Sequence, residues 1–142
     1  MINFKKGPAL SLHQVNYIGA AKADEGVVAG MVVRLEDGEV VKGASASPAP
    51  KDALYGFAIN SQDAGDVIES GKIGVYALDG ASVIETDQYV GESSSYTVGS
   101  LVTAANGANA GKIKLSTDAD DKVIGQVEGS RTIPGVTQIV NG

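Results

Sequence analysis

Short runs of Val and Ile recur along the chain, each closed after a few residues by Gly, Asp, Asn or Ser. That spacing is the strand-and-turn pattern. Helical periodicity is weak: few stretches of a dozen residues lack a glycine, and each helix-interior Gly costs ~1 kcal/mol relative to Ala. The pattern predicts strands at Gln14–Gly19, Met31–Leu35, Val40–Lys42, Tyr55–Asn60, Val67–Glu69, Ile73–Leu78 and Val83–Glu85. It predicts further strands at Ser95–Val98, Leu101–Ala104, Lys112–Ser116, Val123–Glu128 and Gln138–Val140. Asp37-Gly38, Asp79-Gly80 and Asn106-Gly107 fall between consecutive runs, and such dipeptides tolerate the positive φ of tight hairpin turns. Ser45–Lys51 contains two prolines and reads as an exposed loop, because proline lacks the amide donor of a central strand. The expected fold is all-β: a small antiparallel β-barrel or sandwich with an extended N-terminal arm.

One stretch echoes another. Gly30-Met-Val-Val-Arg-Leu-Glu-Asp-Gly38 resembles Gly99-Ser-Leu-Val-Thr-Ala-Ala-Asn-Gly107. Each is followed by a second apolar run, a polar loop, and then Leu54-Tyr-Gly-Phe-Ala58 or Val123-Ile-Gly-Gln-Val127. The interval from Gly30 to Gly56 is 26 residues, the same as from Gly99 to Gly125. This suggests a repeated hairpin-plus-strand unit over 30–58 and 99–127, two pseudo-symmetric halves of one domain; chance echo in a Gly- and Val-rich chain is the alternative. Gly56 and Gly125 sit inside apolar runs, where glycine marks a bulge, a barrel corner or a close backbone approach. Their shared position argues for a barrel corner, and both are read as structural glycines.

Charge changes the picture at the N-terminus. The 142 residues carry 11 Lys and Arg against 17 Asp and Glu, a formal net charge of −6. Residues 1–23 hold Lys5, Lys6 and Lys22 and no acid, so the remainder is strongly acidic. We read 1–23 as a basic arm and 24–142 as a single barrel-like domain. Three lysines in such a stretch is also an ordinary chance composition. Phe4, Leu10, Leu12, Val15, Tyr17 and Ile18 give the arm apolar groups, and with Lys5 and Lys6 they are the candidate partner-binding residues. Leu10 and Leu12 share one strand face and Val15 and Tyr17 another, an offset that a bulge near His13-Gln14 would allow. Such an arm can add a strand to a neighbour's sheet edge.

Candidate chemistry is sparse. With no Cys and one His, the chain has no disulfide, no thiolate zinc site and no multi-histidine centre. The acidic balance argues against nucleic acid as a partner. No stretch approaches the ~20 apolar residues of a membrane span, and the N-terminus is not a convincing signal peptide, so a soluble protein is expected. Gly107-Ala-Asn-Ala-Gly111-Lys112 and Gly65–Lys72 resemble phosphate loops, but their spacings are wrong and Ile follows each Lys. Asp118-Ala-Asp120-Asp121 resembles part of a calcium loop but lacks its Gly and terminal Glu. His13 has no acidic neighbour to orient it as a base. No catalytic, cofactor or metal residue is assigned.

The stretch from Gly30 to Gly129 is similar to the small β-rich capsid decoration, or cement, proteins of tailed bacteriophages. The residues that carry the resemblance are Gly30-Met-Val-Val, Leu54-Tyr-Gly-Phe-Ala, Ala64-Gly-Asp-Val-Ile, Gly71-Lys-Ile-Gly-Val-Tyr, Val98-Gly-Ser-Leu-Val-Thr and Lys122-Val-Ile-Gly-Gln-Val-Glu-Gly. It implies a virion structural protein without enzymatic activity or cofactor. Such a protein is made in the bacterial cytoplasm, binds the major capsid protein on the outside of an assembled head, and often forms a homotrimer. Other readings of the same chain are a head-fibre base or tail-associated β module, a glycan-binding β-barrel, and a hydrolase built on a carboxylate pair. The absence of Trp weighs against the glycan reading.

Overall fold

A computed structural model describes residues 2–6, 15–19, 26–36, 39–43, 55–61, 72–78, 83–133 and 136–141. The described chain is built from antiparallel strands and contains no α-helix. The strands are β1 (Ile2–Lys6), β2 (Val15–Gly19), β3 (Val32–Glu36), β4 (Glu39–Lys42), β5 (Tyr55–Ala58) and β6 (Lys72–Ala77). They continue with β7 (Val83–Thr86), β8 (Leu101–Ala104), β9 (Ile113–Leu115), β10 (Val123–Ile133) and β11 (Val136–Asn141). One sheet has six strands in the order β1-β7-β11-β10-β8-β9, and the other has five in the order β2-β6-β5-β3-β4.

The two sheets share one core. Val32, Tyr55 and Phe57 of the five-stranded sheet pack with Ile84, Val102, Ala104, Ile113, Ile124 and Val127 of the six-stranded sheet, and Tyr96 joins them. Full burial of each such side chain contributes about 1.5–3 kcal/mol, which makes this contact the main adhesive term between the sheets. A second cluster joins Val33, Val40, Ala58 and Val75 on strands of the five-stranded sheet with Val27, which precedes β3. The edge strands β2 and β4 of that sheet approach within 8 Å between Cα atoms. Yet β2 pairs with β6 and β4 with β3, and no closed barrel is seen among the described residues.

The described parts of 30–58 and 99–127 share a strand order and several backbone bonds. In the first, β3 lies between β4 and β5; in the second, β8 lies between β9 and β10. Gly30 and Gly99 open them at φ 94° and 92°, a region open to glycine without steric cost. Gly30 N–H donates to Ala58 O at 2.8 Å, and Gly99 N–H to Val127 O at 2.9 Å. Ala58 N–H donates to Met31 O at 2.9 Å, and Val127 N–H to Ser100 O at 2.8 Å. Val33 stands opposite Gly56, and Val102 opposite Gly125. The hairpins differ: β3–β4 brackets only Asp37-Gly38, whereas β8–β9 holds the 3-10 turn Gly107–Asn109.

Several expectations change. Ser95–Val98 is not a strand: Ser93–Ser95 form a 3-10 turn and Val98-Gly99 a tight turn, with Gly99 at positive φ. Ile2–Lys6, absent from the expected strands, pairs with β7. β10 and β11 run longer than expected because they form a hairpin from Ile133↔Val136 back to Val127↔Asn141. At Gly56 a Cβ would lie 2.4 Å from Val75 Cγ1 and 2.6 Å from the Tyr76 carbonyl oxygen. The glycine is required by this close approach of β6, in unbroken register, rather than by a barrel corner. Gly125 follows a register shift between Val123 and Gly125, a β-bulge. Val67–Glu69 and Asp79-Gly80 lie outside the described residues.

Two other glycines make a controlled comparison. Neither Gly91 nor Gly129 has an atom within 4 Å of a built Cβ, but Gly91 sits at φ +84°. Alanine at Gly91 is expected to lower stability by ~1 kcal/mol through backbone strain alone. Alanine at Gly129 is expected to be neutral or stabilising. Chemical denaturation of the two variants checks this; equal midpoints would contradict it.

Candidate docking surface

The residues singled out from the sequence divide between the two sheets. Phe4, Lys5 and Lys6 lie in β1 at one edge of the six-stranded sheet, where Phe4 stands opposite Ile84 and Lys6 opposite Val83. The register shifts between Phe4 and Lys6. Val15, Tyr17 and Ile18 lie in β2 at an edge of the five-stranded sheet, opposite Tyr76, Gly74 and Ile73. One side of each strand is therefore hydrogen-bonded within the chain, and each strand ends its own sheet. Leu10, Leu12 and His13, with the bulge expected near His13-Gln14, lie outside the described residues. Ile2 is partly buried and packs against the shared core, which anchors the start of β1.

A surface that the sequence did not single out lies on β9, β8 and β10. Leu101 is 48% exposed, Val98 in the turn before it 76%, and Val123 44%. Val123 stands opposite Thr103, which shares a face with Leu101, so the two apolar side chains are diagonal neighbours. The equivalent positions in the first unit are covered: Val32 and Phe57, which pair with each other, are buried in the shared core. Their counterparts Leu101 and Gln126 pair in the same way and are exposed. Gln126 Nε2 donates to Gly99 O at 3.1 Å, which ties the turn carrying Val98 to β10.

The loops beside this face are internally satisfied. Asp121 Oδ2 accepts from the backbone N–H of Thr117 at 3.1 Å and of Asp118 at 3.0 Å. Asp118 Oδ1 accepts from Asp120 N–H at 3.0 Å, so these carboxylates hold their own turn together. Among the described residues no group of three His, Cys, Asp or Glu side chains converges as a metal site would require. Gly107–Lys112 forms the β8–β9 connection, a 3-10 turn followed by a bend, with no helix after it to receive a phosphate. Gly111, at φ +90°, accepts from Val32 N–H at 2.8 Å and donates to Gly43 O at 2.9 Å, which stitches the two units together.

Two phenols in the packed interior are perturbed. Burial pushes Tyr96 above its ordinary value of 10.0, against the opposing hydrogen bond to Val90. Burial also raises Tyr55, opposed by the Arg34 charge. Both belong to the shared core, so these shifts mark packing. No helix among the described residues is long and apolar enough to cross a membrane. Compared with family models, with curated proteins and with solved structures, the chain finds no match among any of the three.

Proposed function

We propose that this chain is a non-enzymatic virion structural protein that binds the outer surface of an assembled phage head and stabilises it. The observation that carries the reading is an all-β body whose six-stranded sheet leaves Val98, Leu101 and Val123 open to solvent while its acidic turn is held by its own backbone. That is the make-up of an adhesive surface: exposed apolar area for contact, beside an acidic turn whose carboxylates bond within it. The similarity of Gly30–Gly129 to tailed-phage decoration proteins supports the same reading and points to the major capsid protein as the partner, with the chain self-associating, three copies together, on the capsid exterior. Stabilisation then requires no chemistry. A protein that binds the assembled lattice but not free subunits shifts the equilibrium toward the lattice by mass action. Several copies held together gain further through effective concentration. β1 and β2, which end their sheets among the described residues and carry Phe4, Lys5, Lys6, Val15, Tyr17 and Ile18, offer strand addition as a second mode of attachment.

The test is to add purified chain to empty, undecorated heads of the phage that encodes it, and separately to free capsid subunits, and to sediment both. Saturable binding to heads alone is expected, with heads that expand or break at a higher temperature. A chain that stays in the supernatant with heads overturns the reading.

A further inference from the structure

The outer face of the second unit covers Thr103, whose hydroxyl donates to Lys122 O at 2.6 Å, but exposes Leu101, Val123, Gln126 and Glu128, and its charges are arranged to match themselves. Lys114 on β9 stands opposite Thr103 on β8, and Thr103 opposite Val123 on β10. Two residues along, Leu101 stands opposite Gln126. Gln126 and Glu128 are exposed on either side of buried Val127, so both project from this face. Lys114 and Glu128 therefore occupy opposite corners. They are separated by two strand spacings, roughly 10 Å, in one direction and by four residues' rise, roughly 13 Å, in the other. Leu101, on the strand between them and two residues from each row, falls at the midpoint of that diagonal.

We propose that this face binds the same face of a second copy of this chain, across a two-fold axis that passes beside Leu101. Rotation about an axis perpendicular to the Lys114–Glu128 diagonal brings Lys114 of one protomer onto Glu128 of its partner, and the reverse, in one operation. Leu101 then meets its own counterpart, with Val98 and Val123 beside it. An isologous contact requires this self-complementarity: a cation and an anion placed symmetrically about an apolar centre. Where the chain has a second unit to pack against, it already buries this face, as Val32 and Phe57 show. A second copy would bury it in the other unit. A standard interface buries ~800 Å² per partner, so a contact resting on these few residues is expected to be concentration-dependent. The inference does not rest on binding to a phage head, and the two-fold contact is separate from any three-fold one.

The experiment is sedimentation equilibrium on the full chain and four variants, with circular dichroism to confirm that each is folded. The wild type is expected to form even-numbered species, a dimer, or a hexamer where trimers also form. Leu101→Lys is expected to remove the two-fold step. Lys114→Glu and Glu128→Lys each place like charges together and are expected to weaken it about tenfold. The doubly changed chain is expected to recover it, and the two single variants mixed together to associate with each other more tightly than either does alone. A wild type that is monomeric, or trimeric only, up to millimolar concentration overturns the proposal. So do single variants that associate like wild type, or a double variant as weak as the singles.

Discussion

Gly56→Val is expected to eliminate the folded protein. Gly56 is buried in the middle of β5, opposite Val33 on one side and Ala77 on the other. A Cβ there meets Val75 Cγ1 at 2.4 Å and Tyr76 O at 2.6 Å. The second contact is with backbone, so no rotamer change relieves it. Room for valine appears only if β5 and β6 separate, which breaks the ladder that joins β6 and β2 to the rest of the five-stranded sheet. Overpacking of this kind costs about 3 kcal/mol or more, a large share of the 5–15 kcal/mol that holds a domain folded. The expected outcome is insoluble or protease-sensitive protein. Gly56→Ala, less disruptive, keeps the question open to measurement: its thermal midpoint is expected to fall by ~10 °C. An alanine variant that melts with the wild type would show that the two strands do not approach as closely as described.

The second large effect is expected at Tyr96. Its hydroxyl donates to Val90 O at 2.6 Å and lies 3.2 Å from Ile113 O, and its ring meets Tyr89 edge-on at 5.6 Å between centroids. One side chain thus holds the segment after β7 against β9 and fills the shared core from the side. Tyr96→Ala removes the ring and leaves a cavity, with an expected loss of about 3–4 kcal/mol. Tyr96→Phe keeps the ring; Ile113 O still accepts from Val90 N–H at 2.9 Å, so the loss is about 1–2 kcal/mol. The pair separates packing from hydrogen bonding in urea unfolding, and an alanine variant no weaker than the phenylalanine one would contradict the cavity. The sign of the pH dependence follows from burial, which raises Tyr96 above 10.0 in the folded chain. The unfolded phenol ionises first, so the stabilisation is whole below the ordinary phenol range and is lost as pH rises through the raised folded value. Tyr55 shifts in the same direction and adds to the loss. Tyr96→Phe is therefore expected to flatten, without removing, the alkaline fall in stability.

The all-strand character was legible because Val and Ile cluster between turn residues, and most expected strands lie within a residue or two of observed ones. At the ends of the equal glycine intervals, Val33 stands opposite Gly56 and Val102 opposite Gly125. Ser95–Val98 misled because Tyr, Thr and Val favour strands, whereas here Tyr96 turns inward to bond two carbonyls and Gly99 turns the chain. β1 was missed because Ile2-Asn-Phe-Lys-Lys is short and polar, and its pairing comes from a distant partner, β7. The open face was not legible at all. Leu101 and Val102 are both apolar, so alternation gives no sign of which one faces the core; the packing of the two units decides it. The N-terminal candidates were found by their charge and apolar content, but pairing partners lie far along the chain, and nothing local assigns Phe4 and Tyr17 to different sheets.

Native-state amide hydrogen exchange is the most direct test of two like units closing on one core. Val32 N–H bonds to Gly111 O, Ala58 N–H to Met31 O, Ala105 N–H to Lys112 O, Ile113 N–H to Gln88 O and Val127 N–H to Ser100 O. These five amides are expected to open at one common free energy, equal to that of global unfolding, because each unit supplies the other's buried face. If Val32 and Ala58 exchanged orders of magnitude faster than Ile113 and Val127, the units would be opening independently, and the shared core would be contradicted.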